Sequence, residues 1–122
     1  MEELVGLAPS GSLGSGFDLP AFRRALDEEP DFIGQDAGST DMGPYYHGSS
    51  KPFLPRATYK HDLAIMLKAA RERGIPLIVG SALTSGSRET LLQAVDIIQE
   101  IAHEEGLSFR MAAVNAELRQ VG

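Results

Sequence analysis

One connection of the chain collects most of the side chains that are able to do chemistry. Residues 31–53 read DFIGQDAGSTDMGPYYHGSSKPF and contain two carboxylates, Asp36 and Asp41, followed by two adjacent phenols, Tyr45 and Tyr46. Neighbouring carboxylates are able to bind a divalent cation such as Mg²⁺, to orient a substrate hydroxyl, or to divide acid and base roles. A phenol beside them is a candidate general acid. The sequence therefore predicts catalytic roles for Asp36, Asp41, Tyr45 and Tyr46, with Mg²⁺ as the one candidate cofactor.

Each of these residues also has a purely structural interpretation. Asp36 would cap the turn at residues 38–40, and Asp41 would form an Asx turn with Gly43. One of the two tyrosines would then serve only for packing. Both interpretations require a partner for Asp36, because a carboxylate at the end of a buried strand is costly unless it is hydrogen-bonded, paired or used.

Short apolar runs alternate with amphipathic helical segments, a pattern typical of a parallel sheet with helical crossovers. Asp18 and Ser87 are predicted to cap two of the helices at their N-termini, and Gly74 and Gly106 to follow two helix ends. The predicted strands are residues 4–8, 31–36, 76–82 and 108–114, and the predicted helices are roughly residues 19–29, 57–73 and 88–105. The predicted fold is therefore α/β, a four-stranded parallel sheet in the order β-α-β-α-β-α-β. It would be either Rossmann-like with three layers or half of a β/α barrel.

The connections that leave the carboxyl ends of these strands are rich in polar side chains. Ligands of parallel α/β sheets bind at that edge, and so do ligands of β/α barrels. The turns at the opposite edge, EEPD, RGIP and EEGLS, are short and gather no groups of catalytic type. We therefore predict a ligand site at the carboxyl edge. Its predicted binding residues are Ser10, Gly11, Gly14, Gly16, Ser39, Thr40, Lys51, Arg56, Ser81, Ser85, Asn115 and Glu117.

These binding residues also have alternative interpretations. The first connection, PSGSLGSGF, places glycine and serine before a helix, where backbone N–H groups bind anions. Its G-x-x-G-x-G spacing matches neither the dinucleotide fingerprint nor a Walker A loop, so a plain glycine-rich turn is the alternative. Lys51 and Arg56 would pair with an anionic substrate, or else balance Asp36 and Asp41. Glu117 would act as an acid, a base or a metal ligand, or would lie on solvated surface.

Composition restricts the classes of function. The chain has 122 residues, of which 43% are hydrophobic and 23% charged, enough for one compact domain. A net charge of −6 with dispersed basic residues argues against a nucleic-acid partner. The absence of cysteine excludes disulfide and thiolate chemistry, and no His-x-His or His-x₃-His pair predicts a zinc site. We see neither a signal peptide nor an apolar run of about 20 residues, so we expect a cytoplasmic domain without a membrane segment.

Four segments carry a resemblance to a known family. SGSLGSGF, PDFIGQDAGSTDMGPYYHGSSKPF, HDLAIMLKAARERGIPLIVGSA and EIAHEEGL resemble the N-terminal part of the acyclic terpene utilisation (AtuA-like) family. Members of that family are often labelled methylaspartate ammonia-lyase-like. The resemblance covers nearly the whole chain, and its specific block is DAGSTDMGPYY, in which His47 then follows where leucine is expected. It implies that the signature residues here are Asp36, Ser39, Asp41, Tyr45 and Tyr46.

The resemblance also bears on domain organisation and function. Family members are several times longer, which implies that residues 1–122 are a single α/β domain, the N-terminal domain or a fragment of a longer member. We expect a domain of a metabolic enzyme that binds a small anionic, carboxylate-bearing metabolite. Carboxylate, tyrosine and lysine groups suit a lyase or hydratase acting on a carbon–oxygen or carbon–nitrogen bond. The alternative is a non-catalytic nucleotide- or acyl-CoA-binding module. A homo-oligomer, or a further domain or subunit of the same enzyme, is expected to cover the thinly covered face of the sheet.

Overall fold

The computed structural model describes residues 2–38, 44–49 and 51–118, without the side chains of Tyr46 and His47. In chain order the elements are β1 (Gly6–Leu7), α1 (Leu19–Leu26), β2 (Phe32–Asp36), α2 (Pro44–Ser49), α3 (Arg56–Arg73), β3 (Leu77–Gly80) and α4 (Arg88–Glu105). The three strands form one parallel sheet in the order β1-β2-β3. The α/β class is therefore confirmed, with the strands following one another across the sheet as they do along the chain.

The ends of the helices follow local capping chemistry. The carboxylate of Asp18 accepts the backbone N–H three residues later at 3.0 Å, and the hydroxyl of Ser87 does the same at 3.3 Å. Helices α3 and α4 end at Gly74 and Gly106, whose φ angles are 66° and 64°. Glycine adopts such angles without a steric penalty. The two predicted N-caps and the two predicted glycine positions after the helix ends are therefore all confirmed. Within the described ranges, none of the helices has the length and apolar character needed to cross a bilayer.

The core lies on one face of the sheet. Leu7, Ile33 and Leu77 are aligned across the three strands, and they pack with side chains of α1, α3 and α4. Ile78, which points to the other face, is 59% exposed. When strands follow chain order and their crossovers have one hand, every crossover helix lies on the same side. The described part of the chain therefore has two layers, and the predicted three-layer arrangement is wrong.

The predicted fourth strand is also wrong. Residues 108–114 form no strand, so the four-stranded pattern fails both as a Rossmann-like sheet and as half of a barrel. Phe109 is partly buried against the core, but residues 111–118 are all exposed. Ala112 and Ala113 have low β propensity and little apolar surface to bury. Pairing with β3 would therefore bury little apolar surface and would stabilise this segment only slightly.

Candidate functional site

The connections that leave the three strands meet at the carboxyl edge of the sheet. We call residues 8–18 loop 1, the described residues between β2 and α3 loop 2, and residues 81–87 loop 3. In loop 1, the N–H of Leu13 donates to the carbonyl oxygen of Asp36 at 2.9 Å. In loop 2, Gly38 lies so close to loop 3 that an added Cβ would be 2.7 Å from the Cβ of Ser81. The shared direction of parallel strands thus brings these loops together.

Gln35 holds loop 1 against β2. Its side chain is buried, 4% exposed, near the end of the strand. The amide nitrogen donates to the carbonyl oxygens of Ser10 at 3.2 Å and Asp36 at 2.8 Å, while its oxygen accepts the N–H of Ser10 at 3.3 Å. The polar atoms of Ser10, a predicted ligand-binding residue, thus help to position the loop. Nothing in the sequence pattern singles out Gln35 for this role.

Asp62, a residue of α3, holds the glycine-rich part of loop 1 in place through hydrogen bonds. The side chain lies in the second turn of α3 and the residue is 2% exposed. One carboxylate oxygen accepts the N–H of Gly14 at 2.9 Å and the N–H of Gly16 at 3.1 Å. Both glycines have positive φ, 92° and 82°, a conformation that turns successive N–H groups towards an anion. The donors that the sequence assigns to a ligand therefore bind a carboxylate of the chain itself.

Tyr59 joins all three loops. It is fully buried, and its hydroxyl accepts the N–H of Leu54 at 3.2 Å and lies 3.0 Å from the hydroxyl of Thr84 in loop 3. Its ring fills the space beside Gly14, where an added Cβ would lie 3.0 Å from a ring carbon. In the sequence, Tyr59 lies on the apolar stripe of the predicted helix at residues 57–73, and this position predicts only an apolar contact for its side chain. The hydroxyl bridge depends on loops that the spacing does not describe.

Loop 3 has a strained backbone. Ser81, Leu83 and Thr84 have φ angles of 51°, 53° and 84°, and Gly86 has 66°. Positive φ is uncommon for residues other than glycine, and for a β-branched residue such as Thr84 it is a genuine outlier. Such strain persists only where the surroundings impose it, and it concentrates at functional sites. Loop 3 is held in this conformation by the hydrogen bond between the hydroxyls of Tyr59 and Thr84 and by the burial of Leu83.

The start of α4 carries a cluster of hydroxyls. Ser85 and Ser87 both place Oγ near the hydroxyl of Thr90, at 2.9 and 3.1 Å. Ser87 and Thr90 are buried, and Thr90 also donates to the carbonyl oxygen of Ser87. Ser85, a predicted ligand-binding residue, is therefore part of the network that joins loop 3 to the helix.

Asp36 lies at the rim between loops 1 and 3. Its side chain is exposed, and one carboxylate oxygen accepts the N–H of Gly38 at 2.8 Å. This is the capping contact of the structural interpretation. The contact leaves room for further donors, because a carboxylate has about four acceptor positions. The capping role of Asp36 is therefore compatible with ligand binding.

The close approach of loops 2 and 3 at Gly38 is testable. A methyl group there would lie 2.7 Å from the Cβ of Ser81 and 2.9 Å from the carbonyl oxygen of Thr84, so loop 3 must shift. We expect Gly38→Ala to lower the free energy of unfolding by about 2 kcal/mol, as overpacking does, measured by urea denaturation. The control is Gly80→Ala, because an added Cβ at that strand position meets nothing within 4 Å. Equal effects of the two substitutions would refute the close approach.

Arg56, a predicted ligand-binding residue, points to α4 instead of the rim. Its guanidinium donates to Asp96 at 3.0 Å and to Glu100. Lys60 bonds to Glu100 at 2.8 Å, and the hydrogen bonds from Lys60 and Arg56 lower the pKa of Glu100 to about 2. Exposed pairs of this kind contribute little to stability, but they fix where Arg56 points. Within the described chain its carboxylate partners lie on α4, not at Asp36.

Asn115 and Glu117 come from the segment that follows α4. The carboxylate of Glu117 accepts the N–H of Arg88 at 2.7 Å, and its own N–H donates to the side-chain oxygen of Asn115 at 3.0 Å. Arg88 is the first residue of α4, directly after loop 3. The structure therefore brings Glu117 to the carboxyl edge of the sheet without a fourth strand.

The other predicted site residues are only partly described. Tyr45 is exposed on α2, a short helix that the sequence pattern did not predict, and Lys51 and Gly11 are exposed in the connections. The residues outside the described part are Ser39, Thr40 and Asp41, together with the side chain of Tyr46. The paired carboxylates Asp36 and Asp41 therefore stay a prediction. Among the described residues, no group of three or more acidic or histidine side chains is placed to hold a metal ion.

The structure also contains a cavity that sequence reasoning missed. It has a volume of about 780 Å³ and lies between α3, β3, α4 and the segment that contains residues 109–114 and Ala116. Its walls are mainly aliphatic and include Leu77, Val79, Ala94 and Ile98. The sequence pattern gives no sign of this cavity, because it predicts a strand at residues 108–114.

Comparisons with known proteins do not add a family or a function. No protein family, curated protein or solved structure matches the chain. The resemblance described above, the lyase or hydratase activity and the cytoplasmic location stay predictions.

Proposed function

We propose that this domain binds a small carboxylate-bearing metabolite at the carboxyl edge of its sheet. The observation that carries the proposal is the strained loop 3, which lies directly beside Gly38 and the exposed Asp36. Holding three non-glycine residues at positive φ costs stability, and such strain is typical of loops that contact ligands.

The rigidity of the edge supports the same proposal. Gln35, Tyr59 and Asp62 hold the loops in place through hydrogen bonds from buried side chains. A site that is already ordered loses less conformational entropy when a small molecule binds. The edge is therefore suited to a compact ligand that makes few, well-placed polar contacts.

The chemistry of the rim suggests how the ligand would be oriented. Asp36 would accept a hydrogen bond from a hydroxyl or amino group of the metabolite, while the exposed Lys51 would meet its carboxylate. For the proposed lyase or hydratase activity, Tyr45 would supply a proton to the leaving group. A hydroxy- or amino-carboxylate satisfies all three roles.

A thermal-shift experiment tests the proposal. We expect hydroxy- and amino-carboxylates to raise the unfolding midpoint, since a ligand at about 100 times its Kd adds about 2.7 kcal/mol to stability. Asp36→Asn should remove the shift and leave the stability of the free protein within about 2 kcal/mol, because the amide oxygen still accepts the N–H of Gly38. The matched control is Glu28→Gln, an exposed carboxylate after α1 at the opposite edge.

Two outcomes would contradict the proposal. One is a carboxylate shift that Asp36→Asn and Glu28→Gln leave equally intact, because the ligand would then bind elsewhere. The other is a shift with nucleotides or CoA esters alone, which would favour the alternative of a nucleotide- or acyl-CoA-binding module. Loss of folding in Asp36→Asn would assign the residue to capping only.

A further inference from the structure

The segment after α4 runs along the apolar cavity next to β3. Residues 109–114 and Ala116 contribute to its wall, opposite aliphatic side chains of β3 and α4. At about 780 Å³ the cavity has the size of a small-molecule pocket. Whatever controls the position of this segment therefore controls access to this apolar cavity.

The segment is held at its two ends. At the near end, Phe109 packs against the core cluster that contains Ile97 and Ile101. At the far end, the carboxylate of Glu117 accepts the N–H of Arg88 at 2.7 Å. In the described chain, residues 110–116 make no backbone hydrogen bond to another element.

The contacts between the two ends are weak. Every residue from 110 to 116 is exposed, and the apolar Val114 is 78% exposed. A segment with few buried contacts belongs to the part of a protein that opens locally at low cost. The bond to Arg88 is charge-assisted and lies at the positive end of α4, so it is stronger than a hydrogen bond between neutral groups.

We propose that residues 110–116 form a strap that opens and closes over the apolar cavity, with Phe109 as its hinge and Glu117 as its latch. When the latch opens, the strap moves away from β3 and α4 and exposes the aliphatic wall of the cavity. When it closes, the wall is shielded again. The proposal does not depend on ligand binding at the carboxyl edge.

A single introduced thiol measures the opening. The chain has no cysteine, and Ala94 is buried in the cavity wall on α4, so Ala94→Cys places one reporter beneath the strap. We expect Glu117→Ala to raise the rate of thiol modification by dithionitrobenzoate roughly tenfold, the factor that corresponds to loss of one hydrogen bond to a charged group. The matched control is Glu72→Ala, an exposed glutamate on α3, which should leave the rate unchanged.

Limited trypsin cleavage after Arg110 gives a second measurement in the cysteine-free protein, so the test does not rely on Ala94→Cys. We expect Glu117→Ala to be cleaved faster than the parent protein, while thermal melting shows that the fold is retained. Equal thiol and cleavage rates in the parent and Glu117→Ala would overturn the proposal. An equal acceleration by Glu72→Ala would overturn it too, because exposure would then follow from general destabilisation.

Discussion

Replacing Asp62 by alanine should lower the free energy of unfolding by about 3 kcal/mol, because two backbone donors of loop 1 lose their partner. The N–H groups of Gly14 and Gly16 converge on one oxygen of this buried carboxylate, at 2.9 and 3.1 Å. An unsatisfied donor costs about 1–3 kcal/mol, and alanine provides no replacement acceptor. Urea denaturation of the parent and variant proteins measures the difference.

Two further variants identify the cause of this loss. Asp62→Asn keeps one oxygen that is able to accept both N–H groups, so its effect should be clearly smaller than that of Asp62→Ala. His61→Ala removes the imidazole that lies 3.2 Å from the other carboxylate oxygen, but the ring is exposed, so stability should change by less than about 0.5 kcal/mol. If Asp62→Ala had an equally small effect, water would satisfy the two glycines and the carboxylate would not hold the loop.

The Asp62 contact shows why loop 1 is hard to interpret from sequence. The glycine spacing predicts a turn whose N–H groups bind an anion. The structure places an anion there, but it comes from a residue 46 and 48 positions further along the chain. Asp62 follows His61 within a helical segment, and in the sequence it cannot be distinguished from a charged residue on the helix surface. Only the packing of α3 beneath loop 1 identifies it.

The elements of the fold were predictable where they depend on local signals. The three longer helices have apolar stripes and capping residues, and the strands β1, β2 and β3 have short apolar runs. The prediction of a fourth strand was wrong because it rested on a similar apolar run at residues 108–114. Whether such a run forms a strand depends on whether pairing buries enough surface, which the run itself does not show. The two-layer arrangement depends on strand order, which no local pattern contains. Helix α2 was missed because its six residues, PYYHGS, lie in a loop rich in glycine and serine.

The candidate site was predictable to a similar extent. Parallel strands imply that loops 1, 2 and 3 share one edge, and they do meet there. The side chains that hold them together were not predictable, because Tyr59 resembles an ordinary core residue and no sequence pattern singles out Gln35. The strain of loop 3 was also not predictable, because positive φ is expected for glycine but not for serine, leucine or threonine.

The largest loss of stability is expected for Tyr59→Ala, about 4 kcal/mol, as for other large aromatic residues truncated in a core. The ring is fully buried between α3 and the loops, and its removal leaves a cavity beside Gly14. Tyr59→Phe keeps the ring and should cost only about 1–2 kcal/mol, the effect of leaving the N–H of Leu54 without its acceptor. Thermal or urea unfolding of both variants separates the packing of the ring from the bridge made by its hydroxyl.

A double-mutant cycle then tests whether this hydroxyl holds loop 3 in its strained form. Thr84→Val keeps the shape and the β-branch of the residue but removes the hydroxyl that lies 3.0 Å from Tyr59. We expect the combined Tyr59→Phe and Thr84→Val variant to be more stable than the sum of the single effects implies, by about 1 kcal/mol, because both changes remove one shared bond. Strict additivity would mean that the bond does not exist in solution. The strain of loop 3 would then have no support from α3, and the edge of the sheet would lack the preorganisation on which the proposed binding rests.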